Sequence, residues 1–444
     1  IANNGYATVF PEPIGAAASW NPELFRQEGV IIGIEGRAKF NDYAQRHRGD
    51  SKWWAGLTYW TPNINIFRDP RWGRVMEGAG EDPCLGSRIA EARVRGFQGD
   101  NLSDPTTLAA CLKHFAGYGF PVSGKDYHTT DYSAHTLYNW ILPPFEAGVK
   151  AGAATVMNAF SAANGIPATG DSALVWGELR GRMGFGGVLV SDWGSIGEMI
   201  AHGYAADLRD AADRALAAGC DMDMESDAYL RHGVELARRT PADSLRFREA
   251  ARRILTLKFE LGLMDDPYRY CGAAKPNVRP AVYDMAVRSS VLLKNSGVLP
   301  LRDGLRVGLT GPMAAEKNGG LGNWRVSAKD QSAQSLAEAV SGQWTYAASA
   351  PHSVGAEAFH AELTHNTSDT RANAAAIKAL RKHDVLVLAV GEHGYESGEG
   401  RSRASLRLSA VQQDLIRQAF ETGKPVVLAV YAGRPLVLEP WLQE

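Results

Sequence analysis

The amino-acid sequence predicts an α/β protein with two parallel-sheet domains, and three observations support this fold class. Short apolar segments alternate with amphipathic helical segments over most of the chain, which is the pattern of βαβ units. Several apolar segments end abruptly in polar residues, as strands do where a parallel sheet carries its chemistry. The 444 residues exceed one ordinary core and leave room for a barrel of about 250 residues beside a second domain.

The first predicted domain covers residues 1–262, and its most informative segment is 188–192. A glycine pair leads into a short apolar run there, and the run ends in Asp192. A carboxylate at the C-terminal tip of a buried strand occupies the position where a (β/α)8 barrel keeps its chemistry. The alternative interpretation is that Asp192 only caps the helix that follows.

Three more strand-like segments of this domain end in polar groups in the same way. Residues 108–112 run into Lys113 and His114, residues 154–157 run into Asn158, and residues 63–66 run into the arginine-containing segment 68–74. A cation pair, an arginine and an aspartate that converge at one barrel mouth suit a neutral, polyhydroxylated ligand. The set therefore favours a functional site over an isolated helix cap.

A proline-containing stretch without periodicity, residues 263–283, is interpreted as a linker, and the second predicted domain covers residues 284–444. Its strands are predicted at 306–310, 385–390 and 426–431, and the helix before the last strand carries a capping box from Ser409 to Gln412. Because the strands are separated by helices, the sheet is expected to be parallel.

The loop after the second of these strands, residues 391–403, combines three glutamates, two arginines and four glycines. It follows the C-terminal end of a parallel strand, where α/β sheets place functional loops. The alternative is a solvated, flexible charged loop. Its glycines would let the backbone turn tightly and bring a glutamate over a neighbouring site.

Composition excludes several classes of function. Lys plus Arg total 47 against 49 for Asp plus Glu, a net charge of −2, so neither a nucleic-acid partner nor a membrane-surface patch is expected. No run of 18 apolar residues is present to cross a membrane. The four cysteines, Cys84, Cys111, Cys220 and Cys271, match no zinc pattern. The acidic segment 221–225 lacks the glycine turn of a calcium loop, so neither a metal nor a cofactor is expected.

Several motifs, taken in order along almost the whole chain, resemble those of glycoside hydrolase family 3, and more narrowly its bacterial β-glucosidase and β-xylosidase branch. The segments that carry the resemblance are Lys113–Gly119, Asp69–Arg74 with Glu77 and Gly80–Pro83, Ser191–Trp193, Asn164–Thr169, Leu292–Asn295 and Gly322–Trp324. The resemblance implies a (β/α)8 TIM-like barrel followed by an (α/β)6 sandwich domain. Both domains are expected to be incomplete at the chain ends.

The resemblance also implies a retaining, exo-acting β-glycosidase that releases terminal β-D-glucosyl residues from β-linked oligosaccharides or glycosides. Such enzymes use two carboxylates about 5 to 5.5 Å apart, one as nucleophile and one as acid/base. Asp192 matches the family's nucleophile and Glu399 its acid/base, with Glu396 as the rival. The residues that match the sugar-binding positions are Arg74, Lys113, His114, Met157 and Trp193.

Two departures from the family pattern stand out. A carboxylate that binds sugar hydroxyls usually precedes the segment 5–11, and this chain begins after that position. Many relatives have a tyrosine where Phe160 stands. A periplasmic or secreted location is expected from the resemblance alone, and the oligomeric state is left open.

Three alternatives remain at this point. The first is a β-xylosidase, which differs only in whether the site accepts a hydroxymethyl group. A second is the N-acetylglucosaminidase branch of the family, whose His–Asp acid is faintly matched by Asp126 and His128. The third is a catalytically weak, carbohydrate-binding barrel.

Overall fold

The structure is a computed structural model, and it describes residues 7–51, 54–266, 277–325, 328–355 and 363–442. The chain divides into two compact units, Ala7–Asp69 with Glu77–Ser289 and Pro70–Met76 with Ser290–Glu444. The short segment Pro70–Met76 thus belongs to the second unit, although it lies within the first predicted domain. Residues 267–276, the middle of the predicted linker, lie outside the described residues, as does Cys271.

The first unit contains six strands and ten α-helices among its described residues. The strands are β1 (Thr58–Tyr59), β2 (Ala109–Phe115), β3 (Thr155–Asn158), β4 (Ala162–Ala163), β5 (Ile166–Pro167) and β6 (Val188–Val190). The helices are α1 (Pro13–Ala17), α2 (Pro22–Arg46), α3 (Pro83–Gln98), α4 (Ala134–Thr136), α5 (Leu142–Lys150), α6 (Ser195–Ala201), α7 (Leu208–Ala218), α8 (Ala228–Arg239), α9 (Pro241–Glu260) and α10 (Arg279–Arg288).

The main sheet of this unit is parallel, with the strand order β1-β2-β3-β6. A further parallel bridge joins Val190 to Met222, so the ladder continues into the segment after α7. The strands are buried along nearly their whole length, because helices cover a parallel sheet on its outer face. The carboxyl ends of β2, β3 and β6 therefore meet at one edge of the sheet.

Helices α2 and α3 pack against each other at a pair of glycines. A Cβ atom on Gly96 would lie 2.4 Å from the carbonyl oxygen of Arg26, and one on Gly29 would lie 3.0 Å from Gly96 Cα. Beside this crossing, Arg93 makes a buried ion pair with Glu28 at 2.8 Å. The close approach requires glycine at the crossing, and the ion pair fixes how the two helices are aligned.

The second unit contains the strands β7 (Val307–Thr310), β8 (Thr345–Tyr346), β9 (Val385–Gly391) and β10 (Val426–Tyr431). Its α-helices are α11 (Leu336–Ala339), α12 (Arg371–Leu380), α13 (Ala410–Phe420) and α14 (Glu439–Leu442). The sheet is parallel, in the order β10-β9-β7-β8, which confirms the prediction of a second parallel α/β unit.

Strand β9 is the centre of this second core, and all of its residues are buried. Leu386 and Leu388 pack with residues of α12 and α13, whereas Val385 and Val387 pack with Leu309 and its neighbours on the other face. Successive side chains of a strand point to opposite faces, so an uninterrupted apolar run indicates a sheet covered on both sides.

Some element boundaries differ from the sequence prediction because they depend on side-chain hydrogen bonds, which hydrophobic periodicity does not reveal. The predicted strand at residues 63–66 is reduced to a parallel bridge between Asn63 and Lys113. At the start of α13, Ser409 accepts a hydrogen bond from the backbone of Gln412, but the Gln412 side chain bonds to the backbone of Gly391 instead of completing the capping box.

Helix α9 begins at Pro241, because Thr240 caps it and Pro241 occupies its first turn. Asp243 in that turn is buried and receives hydrogen bonds from Arg239 and Arg246 at 3.0 and 2.9 Å. Arg239 also pairs with Asp213 at 2.6 Å and so joins α7, α8 and α9. A single arginine thus connects three helices.

Within the described ranges, no helix is both long and apolar enough to cross a lipid bilayer.

We expect Asp243→Asn to lower the free energy of unfolding at neutral pH, on the order of 1 kcal/mol after solvent screening. The hydrogen bonds from Arg239 and then Thr240 lower the pKa of Asp243 from 3.8 to about 2. A carboxylate whose pKa is lower in the folded chain stabilises the fold above its unfolded pKa, and loses that effect as the pH falls through the folded pKa. The difference between the two proteins should therefore shrink as the pH falls from 3.8 to about 2.

Urea unfolding of both proteins at neutral pH, near pH 4 and near pH 2 measures this difference. Glu249→Gln on the same helix is the control, because its ion pair with Arg252 is exposed and should contribute little. A difference for Asp243→Asn that does not change with pH would contradict the assignment.

Candidate active site

Asp192 lies two residues beyond β6, at the edge of the sheet where the parallel strands end. It is 7% exposed, and its Oδ1 accepts the backbone N–H of Trp193 at 2.7 Å. The helix that follows has Gly194 as its N-cap, and that cap makes no side-chain hydrogen bond. The carboxylate of Asp192 is therefore directed to its own turn and not to the cap of α6.

Ser191 fixes the backbone around this aspartate. Its hydroxyl donates to the carbonyl oxygen of Asp192 at 2.9 Å and accepts the backbone N–H of Met224 at 2.8 Å. The turn at Asp192 is thereby attached to the segment that continues the parallel ladder at Met222.

His114 is an ionisable residue that lies next to Asp192. Its Nε2 lies 3.5 Å from Asp192 Oδ2, and both side chains are buried. The Nδ1 atom of the same ring lies 2.9 Å from Asn65 Oδ1. His114 sits within β2, which runs through Phe115 rather than ending at Leu112, and the pairing with β3 is irregular between Leu112 and Phe115.

The other predicted residues of the first unit differ in exposure. Lys113 is half-buried in β2. Met157 is 1% exposed and packs in a core cluster with Cys111, Val190 and Met224. Trp193 is 41% exposed, and its ring stacks on that of Trp54 with centroids 5.3 Å apart. Met157 thus belongs to the packed interior, and Trp193 lies at the surface beside Asp192.

The Asp126–His128 alternative is placed in an exposed loop. Asp126 accepts a hydrogen bond from the Tyr118 hydroxyl at 2.7 Å, and the His128 Nδ1 lies 3.2 Å from the Thr129 hydroxyl. Phe160, where many relatives have tyrosine, is buried against the ring of Tyr127 at 5.2 Å. Asp126 and His128 thus make hydrogen-bond contacts with neighbouring residues of their own loop.

The acidic segment 221–225 is organised by protein partners. Asp221 is buried between Arg180 and Arg253, at 2.6 and 2.8 Å. Asp223 accepts the backbone N–H groups of Ser226 and Tyr229 at the start of α8. Both carboxylates thus have structural roles next to the edge of the sheet.

Arg74 and Glu399 form an ion pair in the second unit. Arg74 Nη1 lies 3.1 Å from Glu399 Oε1, and the arginine side chain is 2% exposed while the glutamate side chain is 23% exposed. The guanidinium also lies over the ring of Trp324, at 5.9 Å from its centroid. A buried arginine therefore holds a glutamate that is open to solvent on one side.

Glu396 lies in a different environment from Glu399, although only three residues separate them. Its carboxylate contacts His352 at 2.6 Å and Arg403 at 3.2 Å, and accepts the backbone N–H of His393 at 2.8 Å. Burial acts to raise the pKa of Glu396, but the His352 contact and the charges of His352 and Arg403 outweigh it, so that its pKa is lowered. Glu396 is thus held as a carboxylate by His352, Arg403 and a backbone N–H.

Within the described residues, His352, His365 and Glu396 have ligand-type atoms close enough together to share a metal ion. Gln412 Nε2 lies 3.1 Å from Nδ1 of His352, and Arg403 lies 3.2 Å from the Glu396 oxygen that faces His365. The negative charge of the cluster is therefore already balanced by a cation of the protein.

Arg434 organises the loop that carries both glutamates, and the sequence analysis did not identify it. Its side chain is fully buried and lies 3.1 Å from Glu392. It donates to carbonyl oxygens of two loops, residues 70–74 and residues 391–403, at 2.7 to 3.2 Å. The accepting residues are Pro70, Arg71, Glu396 and Arg401. Burial raises the pKa of Glu392 even though Arg434 and Arg403 oppose this.

Two glycines allow these two loops to approach each other. Gly398 donates its N–H to the carbonyl oxygen of Gly73 at 2.7 Å, and a Cβ on Gly73 would lie 2.1 Å from the Gly398 carbonyl oxygen. Gly398 has φ +108°, and a Cβ there would lie 2.2 Å from Asn323. The glycines beside Arg74 and Glu399 are therefore required by the backbone.

The position of Arg434 shortly after a predicted strand is the feature by which it could have been identified from the sequence. It follows β10 by three residues, at the same edge of the sheet as the loop after β9. Asn65 and Asn63 gave no comparable signal, because an asparagine in an extended segment has many alternative roles.

Comparison with known proteins identifies the family. Residues 2–257 match the family model described as glycosyl hydrolase family 3 N terminal domain, and residues 290–444 match the one described as glycosyl hydrolase family 3 C-terminal domain. The chain belongs to glycoside hydrolase family 3.

Two curated relatives illustrate the range of this family. A protein of Salmonella typhimurium named periplasmic beta-glucosidase is 34% identical, over 98% of this chain and 58% of the relative. A protein of Formosa agariphila named beta-xylosidase is 32% identical, over 97% of this chain and 60% of the relative. The chain therefore spans somewhat less than two thirds of the length of these relatives.

Solved structures agree with this assignment. The beta-glucosidase from Listeria innocua in complex with glucose has a TM-score of 0.87 at 34% identity, over 100% of this chain and 59% of that chain. A mutant of that enzyme in complex with laminaribiose has a TM-score of 0.88 at 33% identity. With both domain matches, this likeness confirms the predicted TIM-like barrel followed by a sandwich domain.

We expect Arg434→Met to lower the free energy of unfolding by about 3 kcal/mol or more, as the removal of one partner from a buried ion pair does. Among the described residues, Arg403 would be the remaining ion-pair partner of Glu392, and the carbonyl oxygens bound by Arg434 would lose their donor. Urea unfolding measures the change. Adding Glu392→Gln to the same chain should recover part of the loss, because the unbalanced charge is then absent.

Arg371→Met provides the matched control, since Arg371 pairs with Asp369 at 2.7 Å but is 90% exposed. If Arg434→Met costs no more stability than this control, the organising role of Arg434 is wrong.

Proposed function

We propose that this protein is a retaining, exo-acting β-glucosidase that releases terminal β-D-glucosyl residues from β-linked oligosaccharides or glycosides. The single observation that carries the proposal is the buried Asp192 beside His114 at the carboxyl edge of the parallel sheet. Two ionisable side chains placed there by different strands are typical of a barrel active site. The Salmonella typhimurium relative and the Listeria innocua structures support the choice of a glucosyl substrate.

The proposed reaction is a double displacement. The Asp192 carboxylate attacks C1 of the sugar while Glu399 donates a proton to the departing glycosidic oxygen, which breaks the C1–O bond and forms a glycosyl-enzyme. Glu399, now a carboxylate, then takes a proton from water as the water oxygen attacks C1 and releases Asp192. Both steps together conserve the configuration at C1.

The different environments of the two loop glutamates support Glu399 as the acid/base. Glu396 is surrounded by His352, Arg403 and a backbone N–H, which stabilise its charged form and lower its pKa. A general acid must carry a proton when the substrate arrives, so these partners make Glu396 a poor donor. Glu399 has one arginine partner and a side chain that is 23% exposed.

Arg74, Lys113 and His114 are proposed to bind the hydroxyls of the sugar ring, with Trp193 and Met157 contributing to the wall of the site. Arg74 would exchange its contact with Glu399 for sugar hydroxyls when the substrate binds. Binding energy from such contacts lowers the barrier only where it is stronger in the transition state.

A β-xylosidase is the second candidate, and the Formosa agariphila relative favours it. Glucose differs from xylose by a hydroxymethyl group, and pocket contacts of that size are worth about 1 to 3 kcal/mol. The third possibility, a barrel that binds carbohydrate without turnover, would give binding but no covalent adduct. A periplasmic location is proposed on the name of the Salmonella typhimurium relative.

We expect incubation with 2-deoxy-2-fluoro-β-glucosyl fluoride to leave a covalent label on the peptide that contains Asp192. The fluorine at C2 slows both displacements, whereas the fluoride at C1 is a good leaving group that keeps the first displacement fast enough, so the glycosyl-enzyme accumulates. Peptide mass spectrometry locates the label. The Asp192→Ala variant, checked for folding by circular dichroism, is the control and should take up no label and show no turnover.

The matching xylosyl reagent separates the two substrates. Faster labelling by the xylosyl compound would replace the glucosidase proposal with the xylosidase. A label on another residue, or unchanged turnover in Asp192→Ala, would reject Asp192 as the nucleophile.

We expect Glu399→Ala to slow hydrolysis of disaccharides by about 10²- to 10⁴-fold, the usual contribution of a general acid. A dinitrophenyl group leaves without being protonated. For a dinitrophenyl glucoside the rate of the first displacement should therefore change little in Glu399→Ala. Azide, which attacks without a general base, should then restore turnover of the aryl glucoside and give the β-glucosyl azide.

Glu396→Ala is the comparison variant in the same loop. If Glu396→Ala shows leaving-group dependence and azide rescue while Glu399→Ala does not, the acid/base is Glu396.

A further inference from the structure

The amide of Asn65 has an orientation that can be assigned without reference to the imidazole ring beside it. Its Oδ1 accepts the backbone N–H of His114 at 3.0 Å, and its Nδ2 donates to the carbonyl oxygen of His114 at 3.0 Å. A backbone N–H only donates and a carbonyl oxygen only accepts. The oxygen and nitrogen of this amide therefore cannot be exchanged.

The same amide oxygen then determines which ring nitrogen of His114 carries a proton. Asn65 Oδ1 lies 2.9 Å from Nδ1 of His114. Because an amide oxygen can only accept, the hydrogen between these atoms must belong to Nδ1. In the neutral ring Nε2 is then the unprotonated nitrogen, and this is the atom 3.5 Å from Asp192 Oδ2.

Asn65 is itself held by a second amide. Its backbone N–H donates to Asn63 Oδ1 at 3.0 Å, and Asn63 Nδ2 donates to Glu77 Oε2 at 3.0 Å. All three side chains are buried. A carboxylate only accepts, so Glu77 fixes the orientation of Asn63, and Asn63 in turn supports the backbone at Asn65.

We propose that Asn65 is a positioning residue that holds His114 with its proton on Nδ1, so that in the neutral ring the unprotonated Nε2 is the nitrogen that faces Asp192. A neutral ring with the proton on Nε2 would instead donate to Asp192 Oδ2 and occupy a lone pair of the nucleophile. The consequence for catalysis rests on the proposed function, whereas the tautomer does not. Asn65, Asp192 and the edge-on ring of Tyr118, whose centroid is 5.0 Å away, are among the groups that contact the His114 ring.

The tautomer can be measured directly on the whole chain by ¹⁵N NMR with labelled histidine. The signal of His114 is identified by its loss in His114→Gln, at a pH high enough for the ring to be neutral. We expect Nδ1 to be protonated and Nε2 bare. The opposite pattern overturns the proposal whether or not the chain hydrolyses any glycoside, so its failure is distinct from failure of the proposed function.

Two substitutions separate positioning from packing. Asn65→Leu removes the acceptor, and we expect a shift toward the Nε2-protonated ring with a loss of kcat/KM of about 10- to 100-fold, the size of effect seen for hydrogen-bond partners that orient metal-binding histidines. Asn65→Asp keeps an acceptor at the same place, and we expect it to retain the Nδ1 proton.

Asn373→Leu serves as the control for loss of a buried amide, because Asn373 bonds to Ala350 and Val411 in the second unit. It should leave the His114 signal unchanged. An Asn65→Leu variant that keeps the Nδ1 proton overturns the proposal, and so does an Asn65→Asp variant that loses it.

Discussion

The parallel ladder of β2, β3 and β6 is the constraint on which the candidate site of the first unit depends. His114, Asn158 and Asp192 are far apart in the sequence, yet each follows or ends a strand of the same sheet. Parallel strands run in the same direction, so their carboxyl ends must meet at one edge. The chemistry at that edge is therefore set by what each strand carries at its last residues.

A second requirement is that the polar groups at such an edge are buried and need partners. Asp221 beneath the edge lies between Arg180 and Arg253, and burial still raises its pKa. In the second unit, Arg434 satisfies carbonyl oxygens of two loops while balancing Glu392. Charges without a role in the proposed reaction thus form the support that holds the others in place.

Much of the fold could be predicted from the sequence, because apolar periodicity and glycine stops report directly on strands and helices. Strand β10 begins and ends where the sequence predicted, and β9 extends one residue further, to Gly391. The segment 63–66 was predicted as a strand, but within it the amides of Asn63 and Asn65 donate to Glu77 and to the backbone of His114. Side-chain hydrogen bonds of this kind have no period and leave no pattern to find.

The candidate residues themselves were also accessible from the sequence, since Asp192, Lys113 and His114 end apolar runs. Their supports were harder to identify. The position of Arg434 shortly after β10 is one signal, but it is one of 47 lysines and arginines, and nothing in its neighbours indicates that it will be fully buried. The same holds for His352, which reaches Glu396 from a segment more than forty residues away. Long-range partners depend on how the chain is folded, and a local pattern carries no information about them.

The contrast between Glu396 and Glu399 shows why these unpredicted partners matter for function. Both glutamates lie in one glycine-rich loop after the same strand, and in the sequence only the family motif favours Glu399 over Glu396. In the structure one carboxylate is surrounded by His352, Arg403 and a backbone N–H, whereas the other meets Arg74 and solvent. A carboxylate fixed by several partners resists both protonation and movement, while one held by a single exchangeable partner can take part in proton transfer. The surroundings of the side chain, more than its residue type, therefore distinguish the structural glutamate from the proposed catalytic one.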